Sequence, residues 1–217
     1  MQLTLEQLLS VVGTLDDAPG FDTPRERFRR FITKRITDFA TSRQLVDQCV
    51  HLPGVQAHRA LGDLVLCLGK FLGFEVVFGP YESASIAGSG GWRARRELFI
   101  HVVVWTDNTP PVAVADLVKE RTPDGSDENE SHVGLGIVTP LFPSATRLGG
   151  LKDEGGRFPI YALSLRLLLQ LTEMVVDGRV SQSFVVALLA RSAMLDDLVD
   201  EVVKNPGSMA AGAPEGN

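Results

Sequence analysis

Four carboxylates, Glu75, Glu82, Glu97 and Asp107, lie in or beside a set of apolar runs between residues 74 and 107. Carboxylate oxygens are the type of donor that holds Mg²⁺. Here two of the four, Glu97 and Asp107, flank the run LFIHVVVW, where charged residues commonly mark the solvent ends of a strand. His51, His58, His101 and His132 show no ligand spacing with one another or with Cys49 and Cys67, so no zinc site is expected. No Ser-His-Asp or Cys-His arrangement can be argued. The GSGG run at Gly88 to Gly91 lacks the Lys-Ser/Thr of a phosphate-binding loop and reads as a flexible loop. No cofactor, metal or small-molecule substrate is therefore expected.

Cations are the second group with chemistry to offer. Arg93, Arg95 and Arg96 cluster ahead of the apolar run, and Arg25, Arg27, Arg29, Arg30, Lys34 and Arg35 crowd one helix. Guanidinium groups suit bidentate phosphate contacts, so Arg93, Arg95, Arg96, Arg25 and Arg29 are candidate nucleic-acid contacts. The competing reading is ordinary solvated surface, which long cationic side chains usually form.

These residues sit on a chain of 217 residues, 44% apolar, enough for one sizeable core. Twenty-one Lys and Arg against 27 Asp and Glu give a net charge of −6, so any nucleic-acid contact must be local. Both cysteines have apolar neighbours and read as reduced core thiols, which suits a cytoplasmic protein. No targeting segment and no membrane span are expected.

The elements that must position the candidates follow from periodicity. An amphipathic helix carries Leu3, Leu5, Leu8, Leu9 and Val12. A second begins at Thr23 and Pro24, with Glu26 completing a capping box ahead of Phe28, Phe31, Ile32 and Ile36. A helical stretch near Gln44 to Val50 precedes a buried helix over Gln56 to Leu72, ended by Gly73. FEVVF is a first strand, RARRELFIHVVVW a hairpin ending in the strand Leu98 to Trp105, and Val133 to Val138 and FPIYA are later strands. A short helix is expected over Pro111 to Arg121 and an acidic loop over TPDGSDENESH. Three helices close the fold, at Ser164 to Val176, Ser181 to Ala190 and Met194 to Val203. The expected class is α/β, an α+β sandwich with a mixed sheet flanked by helices.

The segment ALGDLVLCLGKFLGFEVVFGPY, a GW a dozen residues later, LFIHVVVWTDN, and then HVGLGIVTPLFP with FPIYALSLRLLLQLTEMVVDGRVSQSFVVALL resemble bacterial nuclease-like domains of the PD-(D/E)XK, or restriction-endonuclease-like, superfamily. The likeness runs from Gln56 to Arg191. The tail over 205–217 is small, polar and turn-rich and is expected to be disordered, while the likeness implies a domain over residues 55–204 behind a helical N-terminal extension over 1–54. The likeness also implies an acidic residue on one strand of the hairpin, then a Glu or Asp and a Lys two residues apart on the next, holding Mg²⁺ and activating water. Counted from Trp92, those positions fall on Ser89, Val103 and Trp105, and Ile100 to Trp105 contains no acid and no lysine. The resemblance therefore implies a nuclease-like protein without catalytic residues, a pseudo-nuclease acting as a structural or adaptor subunit.

Leu195, Leu198, Val199 and Val202 form the apolar side of the last helix, to be covered first by the chain's own domain, and are otherwise a candidate interface with a protein partner or a second copy. One alternative is a non-cleaving nucleic-acid binder using the basic hairpin and helix. Another is an active nuclease with relocated carboxylates.

Overall fold

The computed structural model describes residues 4–81, 86–94, 98–105, 131–138, 160–191 and 195–204. Thr4 opens α1 (Leu5–Val12) with a complete capping box: its hydroxyl accepts from Gln7 N, and the Gln7 side chain accepts from Thr4 N. Thr23 likewise accepts from Glu26 N at the start of α2 (Pro24–Lys34), with Pro24 in its first turn. The Glu26 carboxylate lies instead against Arg25 Nε at 3.4 Å. Asp38 caps α3 (Phe39–His51), which extends further in both directions than its apolar spacing indicates. The long helix α4 (Val55–Phe71) is buried along most of its length. It ends at Gly73, whose φ of 84° is a left-handed conformation that side chains rarely adopt.

The sheet that follows has the order β1-β2-β3-β4-β5. Strands β1 (Glu75–Phe78), β2 (Ile86–Ala94) and β3 (Leu98–Trp105) form an antiparallel meander. Strands β4 (Ser131–Val138) and β5 (Ile160–Ser164) then add in parallel to β3. Helices α5 (Leu165–Val176), α6 (Gln182–Arg191) and α7 (Leu195–Lys204) complete an α+β fold, with helices around a mixed sheet. The helix expected over Pro111 to Arg121, most of the acidic loop and the tail over 205–217 lie outside the described residues, although Ser131 and His132 of that loop already belong to β4. Among the described residues no helix is long and apolar enough to cross a membrane.

One continuous core joins these parts. Leu5, Phe28, Ile32 and Leu45 from the N-terminal helices are buried in the same cluster as Leu64 and Leu68 of α4, Ile100 and Val102 of β3, and Leu168 of α5. Side-chain hydrogen bonds tie the layers: Gln48 Oε1 accepts from Leu5 N at 2.7 Å, and Gln56 bonds both N and O of Leu15. Arg43 reaches both carboxylate oxygens of Glu173 on α5 at 3.2 Å. Trp92 of β2 is fully buried, donates from Nε1 to Leu66 O at 2.8 Å, and stacks on Phe74.

Lys70 plays the part of a C-cap in trans. Its Nζ donates to the carbonyls of Ile32 and Thr33, orphan acceptors in the last turn of α2, and to that of Ile36 just beyond it. Lys70→Met keeps the aliphatic stem and removes those donors, so a loss of about 1–2 kcal/mol is expected in a urea titration. An unchanged midpoint would mean that water caps α2 equally well.

The GSGG run is not a loop. Gly88 to Gly91 belong to β2, and the reason lies in the space around them. A Cβ on Gly90 would stand 2.3 Å from Val77 O and 2.9 Å from Leu66 of α4, and one on Gly91 would stand 2.2 Å from the Phe99 ring. The glycines admit a helix on one face of the strand and an aromatic ring on the other.

Candidate functional site

Register fixes the positions that the nuclease resemblance singles out. Ser89 on β2 is the direct partner of Val103 on β3, and Trp105 pairs with Ile86. Residues two apart on a strand share a face, so His101 and Val103 point the same way. Both are buried, Val103 at 2% exposure, and His101 meets the Phe99 ring edge-on with 4.7 Å between centroids. On the other side Val103 pairs with Gly136 of β4, so the position is enclosed by strands on both flanks. Valine carbons cannot ligate a cation, and an ion there would be cut off from water. Among the described residues no cluster of His, Cys, Asp and Glu could hold a metal. Of the four carboxylates near the hairpin, Glu75 is exposed on β1 and faces Arg93, while Glu82, Glu97 and Asp107 lie outside the described residues.

The candidate arginines separate sharply. Arg93 is half-buried, its guanidinium 5.3 Å above the Phe99 ring and 3.9 Å from the Glu75 carboxylate. Arg95 and Arg96 lie outside the described residues. Arg29 does not lie on a surface, contrary to the sequence expectation. It is buried and its Nε lies 3.1 and 3.0 Å from the two Asp63 oxygens, while Nη2 donates to Gly79 O at 2.6 Å. Tyr81 donates to the same carboxylate at 2.6 Å, and the guanidinium lies 4.9 and 5.0 Å from the Phe78 and Tyr81 rings. Burial pushes the Asp63 carboxyl up, and the Arg29 charge and hydrogen bond with the Tyr81 hydroxyl oppose it.

Arg25 is a second correction. Its side chain is mostly covered and pairs with Asp17 and Glu26, and Asp17 in turn accepts from Tyr81 N at 3.1 Å. Both arginines thus clamp the segment that leaves β1. Arg25, Phe28, Arg29 and Ile32 fall on one face of α2, the face that meets the core. Asp63, the one acid of α4, set between Leu61 and Leu64 in the helix's apolar middle, is the other half of the pair.

What α2 does present to solvent is its opposite face. Arg27, Arg30, Lys34 and Arg35, with Phe31 and Asp22, line an open groove of about 470 Å³. Asp22 accepts from Arg30 Nη2 at 2.5 Å and lies 3.4 Å from Arg27 Nη1, and these two neighbours, Arg30 first, hold its carboxyl below the usual range. Lys34 and Arg35 are exposed and carry no ion pair among the described residues. Phe21, next to Asp22 in the chain, is fully exposed.

Of the two readings of the α7 stripe, packing on the chain's own domain holds for its valines and the partner interface is corrected there. Val199 and Val202 are buried because α7 packs against α5 and β5, and so they offer no surface to a partner. The side chains of Leu195 and Leu198 lie outside the described residues. The two cysteines are buried free thiols, and burial pushes Cys67 up to about 11 and Cys49 further, so both stay protonated at neutral pH. No protein-family model, no curated protein and no solved structure matches the chain.

Proposed function

We propose that the chain is a nuclease-like module of the PD-(D/E)XK kind that binds without cutting and serves as a structural or adaptor subunit. One observation carries the reading. Ser89 and Val103 stand opposite each other in the sheet, and Val103 is enclosed at 2% exposure where the resemblance requires a metal-holding carboxylate. The meander passing into a parallel strand supports the family side of the reading.

The test is direct. Purified protein incubated with duplex and single-stranded DNA and Mg²⁺ or Mn²⁺ is expected to leave both intact. Cleavage that chelation abolishes, and that Glu82→Gln, Glu97→Gln or Asp107→Asn removes, would overturn the reading in favour of relocated carboxylates.

Within a binding role, the observations favour a nucleic-acid partner over a protein docked on α7. The α7 valines are covered by the chain's own α5 and β5, whereas the outer face of α2 is open and cationic.

A further inference from the structure

We infer that the groove on the outer face of α2 holds the phosphodiester backbone of a single-stranded nucleic acid. The inference names the partner within the binding role just proposed, and each can fail without the other. Four cations, Arg27, Arg30, Lys34 and Arg35, line one open groove against a single carboxylate, Asp22, in a chain whose net charge is −6. A local basic strip on an acidic protein is a place where an anion is drawn in against the overall charge. Successive phosphates of a nucleic-acid strand present charges in a row, which suits cations spaced along a helix at positions 27, 30 and 34, each within one turn of the next.

The aromatic content favours a strand with free bases. Phe31 is part of the groove lining, and Phe21 is wholly in water one residue before Asp22. Unpaired bases stack on such rings whatever their sequence, whereas a duplex keeps its bases to itself. Asp22 acts as the resting counterion. It occupies Arg27 and Arg30 in the free protein and must yield them when phosphate arrives.

Fluorescence anisotropy with a labelled oligothymidylate, read over a range of salt, tests the inference. The wild-type chain is expected to bind at about 20 mM salt and to weaken as salt rises, as counterion release requires. Arg30→Ala with Lys34→Ala should weaken binding about tenfold or more, and Phe21→Ala about fivefold or more. Asp22→Asn should tighten it. Arg166→Ala with Arg179→Ala removes the same charge from exposed sites elsewhere and should leave affinity unchanged.

Should Arg30→Ala unfold the chain, Lys34→Glu with Arg35→Glu replaces it, since neither residue carries an ion pair among the described residues. Absence of binding at low salt, or equal losses in the groove and control variants, would overturn the inference. So would stronger binding to a polyglutamate peptide or to anionic vesicles than to the oligonucleotide. Cleavage of the probe with metal present would remove the non-cleaving role and leave the groove standing.

Discussion

Asp63→Ala is expected to lower the free energy of unfolding by about 3–5 kcal/mol, the largest loss for any single polar substitution among the described residues. The carboxylate is 1% exposed and receives Arg29 Nε and the Tyr81 hydroxyl. Its removal leaves a buried guanidinium without its counterion and a phenol without an acceptor. The size of the effect comes from that uncompensated charge and does not measure the worth of the intact pair, whose attraction is set against the desolvation of both ions. A control follows. Asp63→Leu combined with Arg29→Met and Tyr81→Phe removes all three polar partners together and should recover most of the loss. Urea titration of wild type, Asp63→Ala and the triple variant decides the matter: a cost under about 1 kcal/mol for Asp63→Ala would mean that water reaches the pair.

Val103→Glu is the second large effect, about 3 kcal/mol or more at neutral pH. It restores an acid at the position where the nuclease resemblance requires one, and the site has no room in solvent terms for its charge. Burial raises the folded-state pKa of such a carboxyl above its unfolded value. The pH-dependent part of the penalty should therefore be full above the folded pKa, shrink as pH falls through it, and be gone below the unfolded value of about 4.3, leaving the cost of fitting a larger neutral side chain. Thermal unfolding of wild type and variant across pH 4 to 8 reads this directly. A variant as stable as wild type at pH 8 would show the position open to water, and would take away the observation on which the non-cleaving reading stands.

Elements were legible wherever periodicity and local chemistry agreed. Thr23 and Pro24 announce α2, Gly73 ends α4, and Leu61, Leu64, Val65 and Leu68 are buried as their spacing requires. Pairings that depend on a distant partner were not. Arg29 shares its helix face with Phe28 and Ile32, yet a cation on that face has meaning only once Asp63 arrives from another helix. The glycines of β2 look like a loop until Leu66 and Phe99 are placed against them. Likewise the apolar stripe of α7 predicts that something covers it, while only the fold shows that α5 and β5 do so. The positions Ser89 and Val103 were named from sequence, but their direct pairing is a property of register.

The order of strands also governs the time course of assembly. The β1-β2-β3 meander joins strands close in sequence, so its pairings close short loops, whereas β4 begins 26 residues after β3 ends, and β5 begins 22 after β4. Until that slower parallel half arrives, β3 is a bare edge carrying Leu98, Ile100, Val102, Val103 and Val104. The nascent chain is thus most exposed to self-association in the interval between the two halves of its sheet, and substitutions that delay β4 would reduce yield without touching the stability of the finished fold.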